Sequence, residues 1–375
     1  MSVALTYNFQ QQIRDMQPGV DLILQNAPIL LGIVGIGDPA TQTKFEWQND
    51  YLNSLIADPA ADFEAADTSI QLKPGEARKF TVNSLVQNGL EVMQVTAVDE
   101  SANTITVVRG YDNTTPEAFS VSDDELRIIA RPRPEGEDTF RKNEINDRLV
   151  SENYTQIFTR YASVSRTQQQ VRTYGVENEL DYQVNLRLEE MLREMNSSLI
   201  YGRKYAGSPS VPRTSGGLFA FANEQGSFSS DFGNSEITAK GLNDAVEASY
   251  KRGGTVNTIL CAPNVARQIT KLGGSTIQTE RSETTAGYQI LSFVSDLPGG
   301  AITRVVVDNN MPKDRALLLD VNNVKLRYLT STYDQDATQP GGDYFARVIR
   351  AEVGFEIKNA KESIAILSNI EKKVS

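Results

Sequence analysis

Val176-Glu-Asn-Glu-Leu180-Asp-Tyr-Gln-Val184-Asn-Leu-Arg-Leu188-Glu-Glu-Met-Leu192-Arg-Glu-Met195-Asn-Ser-Ser-Leu199-Ile-Tyr-Gly202 is the stretch that decides the fold. Val176, Leu180, Val184, Leu188, Leu192, Met195 and Leu199 recur every three or four residues, so at 3.6 residues per turn they form one apolar stripe. The spacing predicts a helix over 176–205, about 40 Å long at 1.5 Å per residue. Glu177, Glu179 and Asp181 favour the positive helix start, and Glu189 stands four residues before Arg193. A stripe of this length needs another layer against it, so the helix reads as a spine.

After the helix, residues 208–217 form a Pro and Gly loop, and Thr238 caps a second helix that Gly253-Gly254 ends. A strand at 257–261, a helix at 263–272 and strands at 302–307 and 316–319 then compose an α/β unit. Residues 344–370 alternate as two long strands joined near 358–361, expected to return to the spine helix.

Before the helix, residues 153–171 carry Tyr154, Phe158 and Tyr161 among Gln, Thr, Ser and Arg. They read as an extended hairpin whose unpaired edges need cover from another subunit. Further upstream the period becomes two: Phe80 and Val82, Leu90 and Val92, and Ile105 and Val107 alternate with polar neighbours. With turns at 99–103 and 112–115, residues 65–134 are expected to be an inserted all-β module. The first 25 residues, leading into Pro28 and the apolar run 29–34, read as an arm that docks elsewhere, pinned by Phe45, Trp47 and Tyr51.

Composition narrows the function. The 375 residues are 39% hydrophobic and 23% charged, as in globular domains. Lys and Arg number 37 against 48 Asp and Glu, a net charge of -11, which opposes tight binding to a phosphate backbone but suits a container for DNA. The chain has no histidine, which removes the commonest general base and most zinc and iron sites. Cys261 is the only cysteine, so no intrachain disulfide can form. No stretch reads as a signal peptide or a membrane span.

Asn153-Tyr-Thr-Gln-Ile-Phe, Val164-Ser-Arg-Thr-Gln, Tyr174-Gly-Val-Glu-Asn-Glu-Leu, Leu199-Ile-Tyr-Gly and Gly216-Gly-Leu, with Ile259-Leu-Cys-Ala-Pro-Asn and Arg350-Ala-Glu-Val-Gly-Phe-Glu-Ile, resemble the SU10-like major capsid proteins of tailed phages. The resemblance implies an α+β chain of the Hong Kong 97 type. Its expected parts are an arm and anchor (1–64), the inserted β-module (65–134), an extended loop (135–175), the spine helix of a peripheral domain (176–215), an axial domain (216–329) and returning strands (330–375). It implies a shell subunit that partners with itself in pentamers and hexamers and encloses double-stranded DNA without sequence-specific binding. A separate scaffolding protein, a portal and a cement or decoration protein are expected partners, the virion the expected location and the bacterial cytoplasm the place of synthesis. Neither catalysis nor cofactor nor metal is expected. Trp47, Tyr154, Gln156, Phe158, Arg160, Tyr161 and Arg166 are the candidate assembly contacts; for the hairpin aromatics Tyr154, Phe158 and Tyr161 the alternative is the chain's own core.

Chemical readings of other motifs are weaker than bland ones. Gly32, Gly35 and Gly37 reverse the spacing of a dinucleotide loop. Asp334 and Asp336 suggest a calcium loop, but Gln339 stands where its turn needs glycine. Glu189 and Glu190 are adjacent and point to different helix faces; for serines near Lys240 or Lys251 the sequence supplies no geometry that would pair serine with lysine; Cys261 lies in an apolar strand and reads as core. The rival functions are an encapsulin-type compartment shell and a surface adhesion or carbohydrate-binding protein built on the β-module.

Overall fold

Asn178 starts the long helix. Its side-chain oxygen accepts from Leu180 N at 3.1 Å and Asp181 N at 3.3 Å, satisfying two N–H groups that a helix start leaves without partners. The helix runs Glu179–Tyr201 and stops at Gly202, three residues later and four earlier than the spacing predicts. The stop is steric: a Cβ on residue 202 would lie 2.3 Å from Ser215 O and 2.5 Å from Ser198 O, so the loop that follows can close over the helix end.

The computed structural model describes residues 27–49, 55–121, 126–136, 149–171, 176–272, 277–280, 290–296 and 302–372. They fall in two compact units, one of Met1–Trp47 with Val150–Ser375 and the other of Gln48–Leu149.

In the first unit the long helix covers one face of a four-stranded sheet, ordered Gly35–Ile36, Val324–Asp336, Tyr344–Ile357 and Gln156–Ser165. Met191, Met195 and Leu199 from the helix share a core with Phe158, Ile349, Ala351 and Val353 from the sheet. The predicted hairpin at 153–171 is not self-paired. Residues 156–165 form one strand, antiparallel to 344–353 over its whole length, and Arg166–Gln170 is a short helix capped by Ser165. The arm reading also changes: Leu30, Val34, Phe45 and Trp47 are buried in the chain's own core, and Leu31 N donates to Asn196 Oδ1 on the long helix at 3.0 Å. Residues 1–26 of the arm, and Tyr51, lie outside the described residues.

A seven-stranded sheet completes this unit, ordered Phe228–Ser235, Ile364–Ile370, Ala316–Leu319, Thr258–Cys261, Ile302–Val307, Ile290–Val294 and Ile277–Glu280. The final strand, 364–370, therefore pairs here and not in the four-stranded sheet under the long helix. Its side chains explain why. Ile364 and Ile366 enter the core under the long helix, whereas Ala365 and Leu367 enter a second core beneath the helices Ala239–Lys251 and Pro263–Lys271. Leu317 and Leu319 alternate with Ala316 and Leu318 between the same two cores. Strands buried on both faces read as continuous apolar runs.

The second unit holds a six-stranded antiparallel sheet, ordered Ile56–Ala57, Leu126–Ala130, Leu85–Asn88, Glu91–Asp99, Thr104–Val108 and Ser69–Gln71. A third, separate core lies within it, with Phe63, Met93, Val95, Ile105, Val107 and Phe119. Ile105 and Val107 point inward as the alternation predicts. Phe80 does not start a strand; it follows the single turn Ala77–Lys79. Around residue 90 the expected parity is inverted: Glu91, Met93 and Val95 are buried while Leu90 is 82% exposed. The inversion seats the Glu91 carboxylate against the Arg109 guanidinium, at 2.6 Å with both side chains buried. The chain enters and leaves this unit through strands Lys44–Asn49 and Leu149–Tyr154, which pair with each other.

Candidate assembly surface

Three of the short motifs meet at one buried amide. Asn153 Nδ2 donates to Gly216 O at 3.0 Å and to Phe355 O at 2.6 Å, and its Oδ1 accepts from Gly216 N at 2.8 Å. Beside it, Ser215 Oγ accepts from Phe355 N at 3.2 Å, and Gln156 Oε1 accepts from Ser215 N at 3.2 Å and Ser198 Oγ at 3.2 Å. The glycines of these motifs are sites of close approach: a Cβ on Gly217 would meet Leu199 O at 2.5 Å, and one on Gly354 would meet the Phe45 ring at 2.3 Å. The junction locks the edge strand 156–165, the end of the long helix and the long strand 344–357 in one arrangement, because each buried polar group would be costly without its partner.

That arrangement sorts the seven candidate contacts. Trp47 is buried and packs against Phe45 and Phe221, with ring centroids 5.9 Å and 5.6 Å apart. Phe158 is core, as the alternative reading of the aromatics allowed. Gln156 belongs to the junction, and Tyr154 is half-buried on the return strand. Arg160 reaches Glu194 on the long helix at 2.6 Å. Arg166 lies over the Phe345 ring at 4.9 Å and donates to Gly342 O at 3.3 Å. Tyr161 alone of the seven has a ring that is largely exposed without such an intrachain contact among the described residues.

Tyr161 marks the face of the four-stranded sheet that the long helix leaves uncovered. In register across that face stand Ile157 opposite Glu352, Thr159 opposite Arg350, and Tyr161 opposite Val348, with Tyr333 beyond Arg350. Ile157, Tyr161, Tyr333 and Arg350 are exposed. Among the described residues no strand pairs with the outer edge of 156–165, and Arg350 forms no ion pair.

The loop 205–214 overhangs one end of this face. It is closed on itself by bridges Tyr205–Thr214 and Ser208–Val211. Arg213 holds it down, donating from Nε to Thr155 O at 2.8 Å and pairing with Glu352. Between the loop and Ile157 lies a groove of about 400 Å³ walled by Ala206, Val211, Pro212 and Arg213. Ile157, Val211, Tyr333 and Arg350 were not among the contacts expected from sequence. Alternation shows that Ile157 and Phe158 face opposite ways, but not which of them faces outward.

The other motifs weighed in the sequence fall on ordinary core or surface positions among the described residues. Cys261 is fully buried, and burial pushes its thiol up to about 12, far from the thiolate that chemistry requires. Asp334 and Asp336 lie on the exposed end of the strand Val324–Asp336, and no group of three metal-ligating side chains gathers among the described residues. No helix among them is long and apolar enough to cross a membrane.

No curated protein matches the chain. Among solved structures, a chain of Gordonia phage Cozz aligns with a TM-score of 0.51 at 8% identity, over 96% of this chain and 92% of that one. A chain of Mycobacterium phage Cain aligns with a TM-score of 0.50 at 10% identity, over 98% and 97%. The holo-SrpI encapsulin complex of Synechococcus elongatus matches only in part, covering 61% of this chain and 79% of that one at 14% identity and a TM-score of 0.46. The fold is thus the mixed helix and sheet architecture of Hong Kong 97-type phage capsids. The model of the SU10 major capsid protein matches residues 2–371. With nearly the whole length matched, the chain belongs to the SU10 major capsid protein family and is a bacteriophage major capsid protein.

Proposed function

We propose that copies of this chain assemble as pentamers and hexamers into the icosahedral head shell of a tailed phage, around its double-stranded DNA. One observation carries the reading: the four-stranded sheet has a helical layer on one face and, among the described residues, an uncovered face with Ile157, Tyr161 and Tyr333 on the other. Apolar and aromatic side chains held out on a rigid sheet are a feature of surfaces completed by a partner, and a shell supplies many identical partners.

Within this reading the long helix and the four-stranded sheet form the peripheral domain, and the seven-stranded sheet is the body of the axial domain. The extended loop is better assigned to the paired strands Lys44–Asn49 and Leu149–Tyr154 than to residues 153–171. Scaffolding, portal and cement proteins are separate chains, and synthesis takes place in the bacterial cytoplasm. The net charge of -11 keeps the shell from binding the genome tightly.

Electron microscopy with analytical ultracentrifugation of the purified protein tests the reading. Closed particles of uniform size are expected; a monomer that persists at every concentration and in the presence of a scaffolding protein would overturn it.

A further inference from the structure

The unit Gln48–Leu149 is the acidic part of the molecule. It contains 10 Lys and Arg against 19 Asp and Glu, so it carries -9 of the chain's -11, while the other 273 residues are nearly neutral. It also carries the most exposed large hydrophobic side chain among the described residues, Leu90. Leu90 sits in the two-residue turn between strands Leu85–Asn88 and Glu91–Asp99, where Gly89 adopts a φ of +56°. The turn is firmly held. Leu90 N donates to Glu117 Oε2 at 3.3 Å, and directly behind it the buried Glu91 carboxylate receives Arg109 and the Glu117 and Gly110 N–H groups. An apolar knob thus stands beside a carboxylate that has no ion pair among the described residues.

The uncovered sheet face offers the reverse. Ile157, Ala206, Val211 and Pro212 wall an apolar groove, and Arg350, opposite Thr159 and so two residues along from Ile157, presents a guanidinium without a carboxylate partner among the described residues. We infer that this groove is the docking site for the Leu90 turn of a second copy of the chain, with Glu117 of that copy facing Arg350. Apolar burial at Leu90 supplies an anchor ringed by less critical contacts, and the paired charges set the register of the contact. The inference rests on the shell reading and specifies which surfaces meet.

Two experiments test it on the full-length chain. First, Leu90→Cys and Val211→Cys proteins are co-assembled in equal amounts and oxidised; Cys261 is buried and inert. A disulfide-linked dimer is expected from the mixture and from neither variant alone. Closed shells without that dimer, or a chain bearing both substitutions that crosslinks only within itself, would overturn the contact while leaving the shell reading intact. Second, Arg350→Glu and Glu117→Arg should each raise the protein concentration required for assembly about tenfold, and together restore it. Additive defects in the double variant would count against the pairing. If the unsubstituted protein forms no particles, the shell reading itself falls and this contact with it.

Discussion

The side chain of Asn153 holds the backbone of Gly216 from both directions, accepting from its N–H at 2.8 Å and donating to its carbonyl at 3.0 Å, in a site with no solvent access to Asn153. The residues are 63 apart in sequence. A single amide therefore bonds the loop behind the long helix, and the third bond, to Phe355 O, adds the long strand 344–357.

Asn153→Ala leaves the N–H of Gly216 and two carbonyls buried without partners. The expected loss is about 3 kcal/mol of unfolding free energy, read from the urea midpoint. Asn153→Asp keeps the acceptor but sets a charge against two carbonyl oxygens, so it should be no more stable than the alanine variant.

Gly354→Ala would place a methyl group against the Phe45 ring, which stacks on Trp47. The ring pair must move, at a cost of about 2 kcal/mol. Because Trp47 is the only tryptophan, its fluorescence should shift to longer wavelength in the folded variant. An unchanged spectrum would show that the pair adapts in place.

Glu91 makes the Gln48–Leu149 unit sensitive to acid. Burial pushes its carboxyl up, but the hydrogen bond from Arg109 and the N–H groups of Glu117 and Gly110 outweigh this and hold it below its ordinary value of 4.5. A depressed carboxyl contributes stability that is fully present above pH 4.5 and is lost as pH falls through the lower folded value. Glu91→Gln should cost about 3 kcal/mol at neutral pH and flatten the acid dependence below pH 4.5, as followed by thermal unfolding across pH.

Replacing residues 50–148 with Asn-Gly would join Asn49 to Leu149 as a tight hairpin, since their strands already pair. The shortened chain is expected to fold with one cooperative transition, because the two cores under the long helix and in the seven-stranded sheet contain no residue of the excised segment. Circular dichroism during heating checks this. Loss of cooperativity would show that the two units stabilise each other.

Helix spacing, caps and continuous apolar runs were legible in the residues because they depend on neighbours within one turn or one strand. So were the absence of histidine, the lone cysteine and the acidic balance. Partner choice was not. Residues 364–370 read as a strand either way, and only the presence of two cores, one for Ile364 and Ile366 and one for Ala365 and Leu367, sends them into the seven-stranded sheet. Strand parity failed for the same reason at Leu90, where the buried pairing of Glu91 with Arg109, 18 residues away, outweighed the apolar preference of the leucine. Among the seven candidate contacts, hydrogen-bonding and aromatic character was visible in the sequence; whether each side chain faced inward or outward depended on where the long helix lay against the edge strand. Local order is written in short-range spacing, whereas the exposed surface is what remains after distant segments have covered one another.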